Sequence, residues 1–197
     1  MGVAESVVGF KPVYDGNAKI LIMGTVPSVG GVKYNFFYMS KVNKFWYYLT
    51  KTLGTTDFVA LANAYRAAYD KGCYNEELNA VKNALYSNGI ALYDIIATCE
   101  RVGSSDSQII SSQNNSSEKI FEIVKANPNL KMIFVNSYEV EKRLRACLKK
   151  EGVEKLKELM GVDYEPITRV LSPSPMCFRT HTEEEVLESW KQIKKYL

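Results

Sequence analysis

Four short segments, residues 18–23, 90–96, 132–135 and 167–171, are nearly unbroken runs of aliphatic and β-branched side chains. Continuous rather than alternating apolar character predicts strands covered on both faces, as in a parallel sheet. Between them the hydrophobic positions return at helical spacing. Leu78, Val81 and Leu85 fall at i, i+3 and i+7, and Asn88-Gly89 beyond them is a helix stop. Ile120, Phe121 and Val124 make a second face, for which Asn115 is the expected N-cap and Glu118 its capping-box partner. A third helix is expected after Asn136. The last opens on Thr182-Glu183-Glu184-Glu185, a capping box, and docks through Val186, Trp190, Ile193 and Leu197. Residues 104–117 are the most polar stretch and read as a surface loop.

Strands alternating with helices require crossover connections. The expected fold is therefore α/β: a three-layer α/β/α sandwich with a central, mostly parallel four-stranded sheet. No internal repeat and no Pro/Gly/Ser linker divides the chain, so residues 1–197 are expected to form one domain. In such sheets ligands gather beyond the carboxyl ends of the strands.

Composition narrows the chemistry. The four cysteines, Cys73, Cys99, Cys147 and Cys177, stand singly and His181 is the only histidine. Without a C-x-x-C pair there is no nucleus for a zinc or iron–sulfur site. Neither a metal nor another cofactor is expected, and the cysteines read as buried free thiols. The amino terminus lacks the basic start and apolar core of an export signal, and no apolar run is long enough to span a bilayer. A cytoplasmic, nucleoid-associated location without membrane contact is the expectation. The net charge of +3 permits a polyanionic partner without demanding one.

The chemistry-bearing residues cluster just after the four strands. The first run leads into Gly24-Thr25-Val26-Pro27-Ser28, then Phe37-Tyr38 and Asn43-Lys44-Phe45-Trp46. The second reads Gly89-Ile90-Ala91-Leu92-Tyr93-Asp94, followed by Arg101-Val102-Gly103-Ser104-Ser105-Asp106. The third ends in Asn136-Ser137-Tyr138 and the fourth in Ser172-Pro173-Ser174-Pro175-Met176. In order and spacing these four elements resemble the uracil-DNA glycosylase superfamily, from about Gly9 to the last helix. The Asn-x-Phe-Trp and Arg-x-Gly-Ser-x-Asp elements are most similar to its hypoxanthine-DNA glycosylase branch.

The resemblance implies a monomeric, monofunctional hydrolase that removes a deaminated base, hypoxanthine foremost, from DNA in base-excision repair. Such an enzyme takes the nucleotide out of the stack and holds the base by its edges and face. The resemblance makes Asn43 the catalytic amide that holds the attacking water, with Ser172 beside the base. Phe37 or Tyr38 would stack on the base, while Asp94 and Asn136 would hydrogen-bond its edge. Ser28, Ser104 and Ser174 would bind phosphates, Arg179 would add a phosphate contact, and Met176 would wedge into the duplex. Each residue also has an architectural reading: Asn43 as an N-cap, Phe37 and Met176 as core, the serines as turn residues. Residues 24–28 lack the water-activating aspartate of the uracil enzymes, and Ser172 replaces their histidine; both changes argue against efficient uracil excision. Two rivals share the fold: a mismatch-type uracil or thymine glycosylase, and a module that binds damaged or single-stranded DNA without cutting it. Substrate competition separates the first, and alkali-labile products separate the second.

Overall fold

The computed structural model describes residues 4–103 and 105–197; Ser104 lies outside the described residues. The chain runs β1 (Glu5–Val8), β2 (Ile20–Gly24), α1 (Val29–Tyr34), α2 (Phe45–Leu53), α3 (Phe58–Tyr69), α4 (Asn75–Ser87), β3 (Ile90–Asp94) and β4 (Ile96–Arg101). It continues through β5 (Ile109–Asn114), α5 (Ser117–Ala126), β6 (Met132–Val135), α6 (Tyr138–Met160), β7 (Ile167–Arg169) and α7 (Glu183–Lys191).

The four apolar runs build one sheet in the order β3-β2-β6-β7, with every neighbouring pair parallel. Because side chains alternate across a strand, adjacent residues of β2 serve different cores. Ile20 and Ile22 join Leu92, Phe134, Phe45, Leu85 and Trp190 on one side. Leu21 and Met23 join Tyr93, Val135, Ile120 and Leu144 on the other. Helices α2, α3, α4 and α7 thus cover one face and α5 and α6 the other, giving the expected three layers.

Several local expectations change. The 90–96 run is not one strand: β3 ends at Asp94, and the chain turns at Ile95, whose N–H donates to the Gly24 carbonyl. It then enters β4, the centre of a second, antiparallel sheet of order β1-β4-β5. The polar stretch 104–117 therefore holds a 3-10 turn (Asp106–Gln108) and β5 rather than only a loop. The N-cap of α5 is Ser116, whose hydroxyl accepts from the Lys119 N–H, not Asn115. Asn115 instead donates its Nδ2 to the Asp94 carbonyl at 2.9 Å, pinning the end of β3. The capping box at Thr182 and Glu185 forms as expected. The cysteines are unpaired, but only Cys99 is buried; Cys73 is exposed and the other two are half-buried. Among the described residues no helix is long and apolar enough to cross a membrane.

Candidate active site

Three polar side chains meet where β2, β3 and β6 end. Asp94, the last residue of β3, is 3% exposed, and Asn136, just past β6, is 6% exposed. Asn136 donates its Nδ2 to the Tyr38 hydroxyl at 2.8 Å. The space they share exists because the last residue of β2 is glycine. A Cβ on Gly24 would stand 2.5 Å from Asp94 Oδ1 and 2.6 Å from the Tyr38 hydroxyl. Any side chain there would push both groups aside.

Tyr38 is held against its backbone preference. Its φ of 54° lies in the left-handed region, which costs an aromatic residue roughly 1–2 kcal/mol. Three contacts hold it there. Its ring stacks on Phe45, with centroids 3.8 Å apart and planes 8° from parallel. Its carbonyl accepts from Trp46 Nε1 at 3.1 Å, and its hydroxyl takes the Asn136 bond. The Phe-Trp pair of the Asn-x-Phe-Trp element thus places Tyr38 over the strand ends.

Asn43 stands one residue before the N-cap position of α2, which Lys44 occupies without a side-chain capping bond. It still caps the helix, since its Oδ1 accepts from the Phe45 N–H at 2.9 Å. Its Nδ2 has no protein partner among the described residues. The architectural role is real, and it leaves the amide group available. The Lys44 N–H donates to the Pro173 carbonyl at 2.9 Å, and Lys44 pairs with Glu183 at the start of α7. These contacts bind the head of α2 to the turn after β7.

That turn carries Ser172, Ser174, Met176 and Arg179. The Ser172 hydroxyl accepts from the Ser174 N–H, and the Ser174 hydroxyl from the Met176 N–H. Met176, in the 3-10 turn Pro175–Arg179, is 48% exposed and so is not a core filler. Arg179 is exposed without an ion pair among the described residues. Ser28 caps α1 through the Gly31 N–H. Phe37 is not an open stacking face: it is 2% exposed, edge-on to Phe10 and Phe36. Apolar packing has claimed its ring, which lies 6.4 Å from the Tyr38 ring at a tilt of 37°.

The electrostatics disfavour charge at the centre. Burial, with a smaller contribution from Asp106, pushes the Asp94 carboxyl up to about 7. Burial and then Asp94 raise the Tyr38 phenol well above its usual range. Asp106 accepts from Thr25 Oγ1 at 2.8 Å. Although the residue is exposed as a whole, lost hydration of its carboxylate still raises its pKa, against the Thr25 bond. Arg101 is 1% exposed, with Nε and Nη2 unpartnered among the described residues, and its charge acts on Asp106. Gly24, Thr25, Arg101 and Asp106 were not singled out individually from the sequence; two of them sit in the Arg-x-Gly-Ser-x-Asp element that carried the resemblance. Among the described residues no three His, Cys, Asp or Glu side chains group as metal ligands. A cleft of about 530 Å³ lined by Lys19, Leu53, Tyr86, Gly89 and Lys194 lies at the amino ends of β2 and β3, away from this cluster. Its polar lining, including Asn17, Thr55, Ser87 and Asn88, carries no Asp or Glu side chain.

The parallel α/β sheet, with Asp94 and Asn136 buried and Tyr38 half-buried at its carboxyl edge, has a uracil-DNA glycosylase-like fold. A uracil DNA glycosylase-like protein from Methanosarcina acetivorans, solved by NMR, has this fold. It superposes with a TM-score of 0.64 over 96% of this chain and 99% of its own, at 22% identity. No family model matches the sequence. The chain is 32% identical over 142 residues to the hypoxanthine DNA glycosylase of Methanosarcina barkeri, covering 70% of this chain and 77% of that protein. It is 30% identical over 128 residues to the hypoxanthine DNA glycosylase of Methanosarcina acetivorans, covering 65% and 69%. The chain belongs to the hypoxanthine DNA glycosylase family.

Proposed function

We infer that this chain is a DNA glycosylase that hydrolyses the N-glycosidic bond of a deaminated base, with hypoxanthine as the favoured substrate. The observation that carries the reading is the meeting of Tyr38, Asp94 and Asn136 over Gly24, with the Asn43 amide two residues from the ring that stacks on Tyr38. Bond cleavage builds positive charge on the sugar and negative charge on the base. Asn43 holds the water that adds to C1′. Asn136 and Asp94 bind the base edge, Tyr38 offers the aromatic contact, and Ser172 approaches from the β7 side. Ser28 and Ser174 hold phosphates, Arg179 adds charge, and Met176 occupies the space left in the duplex. Ser104 belongs to the same group by sequence position.

The test separates the two roles of Asn43. Asn43→Ser keeps a side-chain oxygen for the Phe45 N–H but removes the amide, whereas Asn43→Ala removes both. Both variants should lose at least a hundredfold in single-turnover excision from hypoxanthine-containing duplex. Only Asn43→Ala should also lose about 1 kcal/mol of stability. Binding of damaged DNA without an alkali-labile product from the wild type would instead assign a binding module. Preferential release of mispaired thymine or uracil would assign the mismatch-type activity.

A further inference from the structure

Asp94 is an odd residue to bury. It is 3% exposed, and among the described residues its carboxyl accepts no hydrogen bond and pairs with no cation. A buried carboxylate is ordinarily matched by donors or a positive charge. Among the described residues none of the groups facing it makes such a bond. Across the strand end are Gly24, which has no side chain, and the Tyr38 phenol. Asn136 directs its Nδ2 at Tyr38. Tyr93 precedes Asp94 on its own strand. Asp106, from the 3-10 turn, contributes a second negative charge. The nearby cations, Arg101 on β4 and Arg143 on α6, act on Asp106. Burial first and the Asp106 charge second favour the neutral acid, and together they carry the carboxyl's proton affinity into the neutral range.

Resting on the glycosylase reading of this site, we propose that Asp94 is its general acid, a carboxylic acid that donates its proton to a ring nitrogen of the departing base. A carboxylate could only accept a hydrogen bond from the base, which does nothing for a leaving group gaining negative charge. A neutral acid both binds a ring nitrogen and protonates it as charge develops. The glycosidic C–N bond breaks with its electron pair going to the base, and the Asp94 proton neutralises that charge. The water held at Asn43 adds to C1′ and gives its spare proton to solvent, from which the Asp94 carboxylate is reprotonated once the base leaves. The net reaction consumes one water and yields the free base and an abasic sugar. Gly24 to Ser28 include no titratable side chain, and the Asp106 carboxyl is engaged by Thr25 Oγ1 at 2.8 Å.

Single-turnover excision of hypoxanthine from duplex DNA, followed between pH 5 and 9, reads the assignment directly. In the wild type the rate should fall about tenfold per pH unit once the acid form is depleted, above about pH 7. Asp94→Asn keeps the shape and a hydrogen-bond donor but has no proton to transfer. It should run at least a hundredfold slower at pH 6 and lose the descending limb. A flat wild-type profile across this range, or a limb that survives unchanged in Asp94→Asn, overturns the general acid while leaving the glycosylase intact. No excision by the wild type at any pH overturns the glycosylase reading itself.

Discussion

At Asp94 burial and the charge of Asp106 act in the same direction, so ionisation and folding are coupled there. The folded-state pKa of about 7 lies above the ordinary value of 3.8. The folded protein therefore binds more protons than the unfolded chain between these limits, and its stability falls as pH rises through that window. The stabilisation is complete below about pH 4 and is lost by about pH 7. Asp94→Asn removes this dependence. It should match the wild type in denaturant unfolding near pH 4 and exceed it by on the order of 2–4 kcal/mol at pH 8. A difference that does not change with pH would mean that the carboxylate is ionised and paired in the fold. The sequence marked Asp94 as a group at the end of a buried strand, but not its protonation. That depends first on how deeply the fold buries it, and then on Asp106, which arrives twelve residues later through a turn that Thr25 holds in place. Nor could the left-handed backbone of Tyr38 be read from its neighbours, because it is imposed by Phe45, Trp46 and Asn136 together.

Among the elements, legibility follows burial. β2, β3 and β6 are buried along their whole length and nearly all apolar, so they are visible as runs, whereas β7 is Ile-Thr-Arg and buried only at Ile167. β1 and β5 are mostly exposed and carry few apolar residues, so nothing in their pattern separates them from loop. They form because β4 lies between them and turns Val7 and Cys99 into the second core. Helix α7 was legible from its capping box, but its service to the site was not. Trp190 donates its Nε1 to the Leu171 carbonyl at 2.9 Å, and Ser189 Oγ accepts the Leu171 N–H at 3.0 Å. The helix thereby holds both backbone groups of the residue that opens the Ser-Pro-Ser-Pro turn. Trp190→Phe keeps an aromatic ring in the core while leaving that carbonyl unpartnered, at a cost of about 1–3 kcal/mol. Amide exchange across residues 171–176 should accelerate, and affinity for damaged duplex should weaken. Unchanged exchange in this turn would show that Ser189 and the Lys44–Pro173 contact hold it alone.

For the molecule as a whole, the two ends of the parallel sheet separate chemistry from scaffold. The carboxyl end gathers the buried acid and amide and the half-buried Tyr38, and the turn that follows β7 carries the exposed Met176 and Arg179. The amino end offers an open cleft with Lys19 and Lys194 at its edges and no buried polar cluster. A net charge of only +3 cannot attract DNA to every face equally. Much of the local basicity is also spent internally, as in the Lys44–Glu183 and Arg145–Glu141 pairs. Productive binding must therefore draw on a few unpaired cations near the site, and each cation that meets a phosphate contributes about 0.9 to the slope of log affinity against log salt. Measured on an Asn43→Ala background, so that the duplex stays uncut, Arg179→Ala should reduce that slope by about one. Lys194→Ala, which removes the same charge from the opposite end, should leave the slope where it was. Equal reductions from the two would mean that DNA is held by diffuse attraction and that the carboxyl end is not its docking face. A loss confined to Arg179 would put the phosphate backbone beside the turn after β7, where Met176 can reach the gap a flipped base leaves behind.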